Sequence, residues 1–449
     1  MSRLPRLAIG TVQVGADASL LMWALLDALD RMGLRVQSFL SRACFVPRDG
    51  AMVITGLCPR HLDSWLMSPD MCRQVLLQAA DSYDLAVIEG QPAAGGAADA
   101  CGGNLETLCR WLDLPQLAVV DASRLRGCSL PECPAGVQGI LLDNVVDSAR
   151  YFRLQTSLEC LWGIPVLGGL RTMPEARAAA RQLPPGTKPP RELCRALGDS
   201  FCDLAQLDRI WRIAQQRDFP YRTIGPALRP GGSPLRVAVA FDEAFNCYFP
   251  ATLDLLEARG ATVTDFSPLR DERLPSGSDI VYIGCGHPER FAHELIENNC
   301  MMSALREHLC NGRRIYAEGG GLAYLCQHVE LADGQRLPMV GGLPAIACMN
   351  PHPAPPRPTE VTLAVDTWLG KAGSRLRGYV NSNWIVEPTS AARRYLQNQG
   401  HDWDLIGRHQ AIGSRLHLNF SAQPQALDRF FERHAAVLDV APRPMASSL

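Results

Sequence analysis

A glycine-dense turn in the second half of the chain has the sequence environment of a catalytic turn. Residues 314–317, an arginine followed by three mainly apolar residues, predict a strand, and Glu318 and the glycines 319–321 follow it before an apolar, helix-like stretch. A sharp turn between a strand and a helix can lift a nucleophile's side chain out of the fold. Nucleophilic catalysis needs a side-chain sulfur or oxygen beside a base. Since Gly319 supplies neither, the turn by itself predicts no nucleophile.

Two cysteines and a histidine are the candidates for such chemistry elsewhere in this half. Cys285 lies between Gly284 and Gly286, in a candidate oxyanion-binding turn after a predicted strand, and is a candidate reactive thiol. Cys326 falls two turns into the helix predicted after the glycines, where a cysteine is usually a small buried hydrophobic residue. His417 lies in a predicted strand and is a candidate base, although a lone strand histidine is more often structural.

A second glycine-bearing turn lies near the start of the chain, between a predicted strand and a predicted helix. It contains Gly10, Thr11 and Gly15. Helix N-terminal amides attract anions, so this loop is a candidate phosphate cradle. A P-loop also needs a lysine just before a Ser or Thr, but this loop offers Asp17 and the first lysine is Lys188. A carboxylate repels triphosphate, so we expect Asp17 to cap the helix.

Acidic residues end two further predicted strands of the first half. Glu89 follows the apolar residues 85–88, and Asp121 follows 117–120 and precedes Ser123. The carboxyl ends of parallel strands form the edge at which α/β sheets bind ligands. We therefore predict Glu89 and Asp121 in a polar ligand-binding cleft.

Short apolar strands alternate with amphipathic helices along both halves of the chain. Strands are predicted at 6–10, 34–39, 85–89, 117–121, 137–143, 165–168, 236–240, 262–266, 279–283 and 314–317. This alternation is typical of parallel sheets covered on both faces by helices. We predict an α/β protein with two doubly wound domains.

A Pro- and Gly-rich stretch separates the two halves. We place the first domain at 1–218, a linker at 219–235, the second domain at 236–440 and a frayed tail at 441–449. The looser residues 220–234 tolerate neither a helix nor a strand well, so the linker is the natural boundary.

The charge balance and hydropathy argue against several classes of partner. The chain has 44 Lys and Arg against 46 Asp and Glu, a formal net charge of -2, which gives no electrostatic reason to expect nucleic acid or an anionic membrane. It lacks an apolar run long enough to span a membrane, and its first residues do not resemble a signal peptide. We expect a cytoplasmic location.

The 16 cysteines are scattered along the sequence. Cys128 and Cys133 lie close together, but at a spacing unlike the usual zinc or redox patterns. We expect most cysteines to be buried small hydrophobes and predict no metal site.

Several of these segments, in this order, resemble the cobyrinate a,c-diamide synthase family. The resembling segments are 33–39, 60–67, 86–90, 119–123, 242–250, 266–269, 287–292, 316–322 and 338–341. The resemblance implies a P-loop, dethiobiotin-synthetase-like domain followed by a class I glutamine amidotransferase-like domain. It also implies ATP and Mg as cofactors: a cysteine thiolate releases ammonia from glutamine, and ATP activates a corrin-ring carboxylate for amidation.

The first domain departs from the family where it would bind ATP. Asp17 stands at the position of the phosphate-loop lysine, and Val14 breaks the glycine spacing of that loop. The Gly-Pro-Asp segment that helps to hold Mg-ATP is replaced by 40–45, with Ala43 inside it. We therefore predict a degenerate P-loop. The sequence assigns no certain cofactor to this chain, although the family uses ATP and Mg.

The second domain departs from the family at its nucleophile. The resemblance places the nucleophilic cysteine at Gly319, with Glu318 before it and the catalytic histidine at His417. Losing the thiol and the phosphate-neutralising lysine removes two half-reactions, each at a cost of several kcal/mol in barrier height.

Three hypotheses follow. The first is a non-catalytic homologue that binds a tetrapyrrole or corrinoid, or that works as a carrier, regulator, homodimer or inactive subunit beside an active amidotransferase. The second is an active ligase or amidase on a tetrapyrrole acid with relocated groups such as the Cys285 thiol. The third is a purely structural role with no small-molecule ligand.

Overall fold

Two seven-stranded β-sheets organise the chain. A computed structural model describes residues 2–42, 50–78, 80–90, 103–125, 130–221, 234–396 and 404–432. The chain divides into two units, the first Met1–Ala227 with Cys247–Leu255 and Pro356–Pro358, the second Leu228–Asn246 with Leu256–Pro355 and Thr359–Leu449. Ala43, residues 222–233 of the expected linker, Cys128 and the expected tail lie outside the described residues. The domain boundaries therefore stay a prediction.

Strands and helices alternate through the first unit. Its strands are β1 Ser2–Arg3, β2 Arg6–Thr11, β3 Val36–Leu40, β4 Arg60–His61, β5 Leu85–Gly90, β6 Gln116–Asp121, β7 Val137–Val145, β8 Val166–Arg171 and β9 Pro220–Tyr221. Its helices are α1 Ser19–Arg31, α2 Gly50–Thr55, α3 Pro69–Leu77, α4 Leu105–Leu112, α5 Ser148–Trp162, α6 Pro174–Gln182, α7 Arg191–Cys202 and α8 Leu207–Ala214.

The large sheet of the first unit has the order β4-β3-β5-β2-β6-β7-β8, and all its strands are parallel. Helix α1 packs in the core of this unit, where every residue from Leu21 to Leu29 is buried, Asp27 included. Because β2 lies between β5 and β6, the chain ends of these three strands meet at one edge. Gly10, Glu89 and Asp121 lie at or next to the carboxyl ends of these strands.

From residue 236 onward the elements are shorter and more numerous. The strands are β10 Arg236–Ala240, β11 Thr262–Phe266, β12 Ile280–Ile283, β13 Arg314–Glu318, β14 His328–Glu330, β15 Arg336–Pro338, β16 Ala345–Met349, β17 Arg357–Thr362, β18 Arg375–Val380, β19 Trp384–Pro388, β20 Arg393–Arg394, β21 Leu405–Arg408, β22 Ala411–Ser414 and β23 Leu416–Leu418. The helices are α9 Pro250–Ala258, α10 Ala292–Glu297, α11 Asn299–Cys310, α12 Gly320–Leu325 and α13 Pro424–Phe430.

The large sheet of the second unit has the order β11-β10-β12-β13-β22-β21-β20. Its first five strands are parallel, and β21 and β20 extend it in antiparallel fashion. Two smaller sheets, β15-β14-β16-β19 and β17-β18-β23, complete the unit. Strand β13 lies near the middle of the large sheet, so the turn after it is anchored on both sides.

The structure confirms the α/β class and the predicted strands of both parallel sheets. It corrects the expectation for Cys326: α12 ends at Leu325, and Cys326 follows it with extended dihedral angles, φ -63° and ψ 171°. The helix is cut short because Val340 and Gly341 donate hydrogen bonds to the carbonyls of Tyr324 and Cys326, which turns the chain into β14. In the described part of the chain, helices are too short or too polar to cross a membrane.

Candidate functional sites

The turn between β13 and α12 has the geometry of a nucleophile elbow without a nucleophile. Gly319 caps the helix with φ 49° and ψ -109°, a left-handed conformation that residues with a Cβ rarely adopt. Its amide donates to the carbonyl of Ser414 on the neighbouring strand β22. The turn therefore keeps its sharp bend while position 319 has no side chain.

The predicted oxyanion turn, residues 284–286, packs directly on this elbow. A Cβ on Gly320 would lie 2.9 Å from the carbonyl oxygen of Gly286, and one on Gly321 would lie 2.6 Å from that of Gly284. The Gly321 amide donates to the Gly284 carbonyl across the contact. Glycines are needed here because two backbone segments approach more closely than a side chain would allow.

Cys285 brings a thiol to the elbow from this second turn. The side chain is 2% exposed, and a Cβ added to Gly319 would lie 2.5 Å from the Cys285 sulfur. Sγ also lies 3.8 Å from Nδ1 of His417. The structure thus brings together Gly319, Cys285 and His417, which are far apart in sequence.

Glu318 is fully buried and holds the centre of the cluster. Its Oε1 accepts hydrogen bonds from the Tyr316 hydroxyl at 2.6 Å and from the Leu418 amide at 3.1 Å. Its Oε2 lies 2.6 Å from Nδ1 of His417 and accepts from the Tyr282 hydroxyl at 3.3 Å. Sequence patterns did not single out the two tyrosines, because in a buried strand they resemble ordinary core residues.

His417 is 2% exposed, on β23. Burial lowers the pKa of its imidazole, and the neighbouring Glu318 carboxylate opposes that shift. The ring nitrogen nearest the thiol is the one bound to Glu318. When Nδ1 donates its proton to the carboxylate, it has no lone pair for the thiol of Cys285. In a working triad the acid and the nucleophile use opposite ring nitrogens.

The candidate phosphate loop of the first unit contains an acidic side chain, Asp17, next to the start of α1. The Asp17 carboxylate accepts hydrogen bonds from the amide of Ser19 at 2.9 Å and from its hydroxyl at 2.6 Å, at the start of α1. Asp17 lies one residue before the N-cap Ala18, and α1 has no side-chain capping hydrogen bond, so Asp17 bonds the first helical residue without being the N-cap that the sequence predicted. Gly15 has φ 71°, and Thr11 is buried at the end of β2.

The loop is closed by contacts to β6. Arg124 donates to the carbonyls of Val14 and Gly15, at 2.9 Å and 2.5 Å. Gln13 exchanges two hydrogen bonds with the backbone of Asp121, at 3.0 Å and 3.1 Å. The loop therefore directs carbonyl oxygens to an arginine, where a phosphate loop would direct amides to an anion.

A cavity of about 350 Å³ lies beside this loop. Its lining includes Asp17, Asp121, Ser123 and Asn144 as well as three arginines, Arg124, Arg177 and Arg181. Arg177 is held by the buried Asp143 at 2.5 Å, and burial raises the pKa of that carboxyl. Asn144 and Arg177 were not predicted, since only the strand order brings them to this cavity. Arg124 was not predicted either, although it follows Asp121 by three residues.

Glu89 lies half-buried at the end of β5. Burial raises the pKa of its carboxyl to about 7, and the negative charge of Asp17 adds to the shift. Both carboxylates therefore lie at the edge at which the resemblance implied ATP and Mg. The residues do not fit a triphosphate: the helix start is bonded to Asp17, and neither Lys188 nor Lys371 lines the cavity.

Comparisons with known proteins bear on both units. Residues 236–424 match the family described as the CobB/CobQ-like glutamine amidotransferase domain. The cobyrinate a,c-diamide synthase of Syntrophotalea carbinolica is 29% identical, over 95% of this chain and 98% of that protein. The protein of that name in Listeria monocytogenes is 28% identical, over 92% and 96%. The hydrogenobyrinate a,c-diamide synthase of Streptomyces coelicolor is 28% identical, over 96% and 98%.

A solved glutamine amidotransferase is 14% identical over 43% of this chain and 96% of its own, with a TM-score of 0.34, which adds nothing to the fold assignment. The second half of the chain is a glutamine amidotransferase-like domain on a doubly wound sheet. Over nearly its whole length, the chain is similar to the cobyrinate a,c-diamide synthases and to the hydrogenobyrinate enzyme.

Proposed function

We propose that this chain binds a corrinoid acid, or a closely related tetrapyrrole acid, and does not amidate it with glutamine and ATP. The observation that carries the proposal is Gly319: the elbow keeps its conformation but has no nucleophile. Thioester formation needs a thiolate at this point, and a glycine cannot form one.

The first unit supports the same conclusion independently. Phosphoryl transfer depends on cationic groups that neutralise the developing charge. Here Asp17 occupies the helix start, while Arg124 and Arg177 are bound to the loop carbonyls and to Asp143. Repair of one half-reaction, for example by free ammonia in place of glutamine, would leave the other half-reaction without the phosphate-loop lysine.

The test uses the purified full chain with cobyrinic acid as ligand. We expect visible-absorbance titration to show saturable binding, and chromatography to show no amide product with ATP, Mg and either glutamine or ammonia. The Syntrophotalea carbinolica relative serves as the active control under the same conditions. Amide formation above the enzyme-free rate would overturn the proposal that catalysis is lost. Failure of cobyrinic acid to bind would overturn the proposed ligand class.

A second candidate function is glutamine hydrolysis by a relocated thiol. The observation that favours it is the 3.8 Å separation between the Cys285 sulfur and His417 Nδ1. The contact of Glu318 with the same nitrogen and the 2% exposure of Cys285 weigh against it. This candidate would be established if the wild-type chain released ammonia from glutamine, Cys285→Ala abolished the release and Cys326→Ala retained it. No release from the wild-type chain would exclude it.

A further inference from the structure

We propose that Cys285, Glu318 and His417 form a binding site for a zinc-class divalent cation. One sulfur, one ring nitrogen and one carboxylate oxygen converge, with all three atoms within 4.8 Å of one another. They come from three separate places in the second unit: the turn after β12, the end of β13 and strand β23. A thiolate, an imidazole and a carboxylate together suit zinc, while Mg and Ca prefer oxygen ligands alone.

The separations are close to those of a tetrahedral site. Zn–S and Zn–N bonds of about 2.3 and 2.0 Å put the two ligand atoms roughly 3.6 Å apart. Sγ of Cys285 and Nδ1 of His417 are 3.8 Å apart. Nδ1 and Oε2 of Glu318 are 2.6 Å apart, joined by a hydrogen bond. For a metal ion to replace the proton between them, Nδ1 and Oε2 would have to move apart, by less than about 1 Å.

Burial favours a metal ion over a substrate at this point. Cys285 and His417 are each 2% exposed and Glu318 is 0% exposed. A glutamine side chain must reach the sulfur from outside, whereas an ion needs only its ligands and a brief opening. Buried charges in proteins are paired or coordinate metals. In the described part of the chain, the one ion pair that Glu318 makes is with His417.

Neighbouring groups hold the ligands in place. The Tyr316 hydroxyl and the Leu418 amide bind Oε1 of Glu318, which leaves Oε2 directed toward His417. Such outer contacts orient ligating carboxylates in metal sites. Gly319 leaves space beside the sulfur that a Cβ would fill. Three protein ligands beside that space define a site with an open coordination position.

The convergence on one nitrogen separates this proposal from the relocated-thiol function. A nucleophilic triad places the thiol and the acid at opposite nitrogens of the histidine. Ligands of one ion gather around a single point, and Cys285 and Glu318 both approach Nδ1. The proposal goes beyond the proposed function and does not depend on tetrapyrrole binding.

The experiment measures metal binding by the full chain after treatment with a chelator. Zinc is added back and bound metal is counted per chain, for the wild type and for Cys285→Ser. The matched controls are Cys326→Ser, a buried cysteine of the same unit outside the cluster, and Cys300→Ser, an exposed one. We expect one high-affinity equivalent in the wild type and both controls, and at least about tenfold weaker binding in Cys285→Ser. Equal zinc affinity of the wild type and Cys285→Ser would overturn the site.

A second measurement needs no variant and covers the case in which Cys285→Ser fails to fold. Cobalt added to the wild type should produce a thiolate-to-metal charge-transfer band, and zinc should protect Cys285 from alkylation in mapped peptides. A cobalt complex without a thiolate band, or alkylation of Cys285 at an unchanged rate with zinc, would overturn the proposal. Both readouts are taken without cobyrinic acid, so their failure is distinct from failure of the proposed function.

Discussion

Positions 285 and 319 are complementary at the scale of single residues. The turn after β12 supplies the sulfur of Cys285, and the turn after β13 has no side chain at Gly319. A Cβ on residue 319 would lie 2.5 Å from that sulfur. With Ala at 285, the nearest atom of that residue would be its Cβ, at 3.5 Å, an ordinary contact. Glycine at position 319 is therefore favoured by its φ of 49° and by its neighbour Cys285.

We predict that substitutions at these two positions are energetically coupled. Gly319→Ala should lower the free energy of unfolding by about 1–3 kcal/mol through backbone strain, and by more through the overlap with sulfur. Adding Cys285→Ala should recover about 1 kcal/mol of that loss. Urea denaturation of the two single variants and the double variant measures the coupling. Gly319→Ala combined with Cys326→Ala is the matched control, and additivity in both pairs would contradict the prediction.

The sequence named most of these residues but not their arrangement. Glu318, Gly319, Cys285 and His417 were each selected from local pattern and from the family resemblance. That the thiol and the carboxylate share one imidazole nitrogen depends on packing of three segments, which local pattern does not encode. For the same reason Arg177 was missed, although it lines the cavity.

At the scale of elements, the decisive feature is the close contact between α12 and the turn after β12. A Cβ on Gly321 would overlap the carbonyl oxygens of Ile283 and Gly284, which are backbone atoms and cannot rotate away. Alanine is otherwise the better residue in a helix, by about 1 kcal/mol. Any loss on replacing Gly321 therefore reports the contact between the two elements.

We predict that Gly321→Ala destabilises the second unit by about 1–3 kcal/mol. Separation of the turn from the helix should also make Cys285 react faster with a thiol reagent. Thermal denaturation and mapped alkylation measure the two effects. Gly136→Ala serves as the control for glycine substitution itself, because its Cβ would meet open space and its cost comes from φ alone. An unchanged unfolding temperature for Gly321→Ala would contradict the prediction.

The predicted elements were correct mainly where strands are apolar and flanked by helices. Buried parallel strands such as β5 and β10 show this pattern over four consecutive residues each. The antiparallel extension by β21 and β20 was not predicted, because strands of four and two residues carry little periodic signal. The helix end at Leu325 was also missed, since it depends on hydrogen bonds from Val340 and Gly341 rather than on a local stop signal.

At the scale of the whole molecule, the acidic edge of the first sheet should make stability depend on pH. Glu89 has an ordinary pKa of 4.5 in the unfolded chain and about 7 in the folded one. Between these values the folded state binds more protons, so the free energy of unfolding falls as pH rises through this window. The stabilising effect of protonated Glu89 is complete below about pH 4.5 and lost above about pH 7.

We predict that Glu89→Gln removes this pH dependence. The variant should gain stability relative to the wild type between pH 5 and pH 8, by at most about 3 kcal/mol, and by less to the extent that water screens the half-buried carboxyl. Chemical denaturation at the two pH values gives the difference. Glu132→Gln, at an exposed glutamate, is the matched control and should follow the wild type. Parallel behaviour of Glu89→Gln and the wild type would contradict the prediction.

The carboxylate of Glu318 ties three strands together, because its donors come from β12, β13 and β23. Removing this carboxylate would leave two tyrosine hydroxyls and a main-chain amide without the acceptor they use here. The Ala-Glu-Gly tripeptide thus has an architectural reason to persist whether or not any bond is made or broken beside it. A motif search that equates this tripeptide with catalysis would assign an activity to this chain, although the structural role of Glu318 is enough to explain the motif.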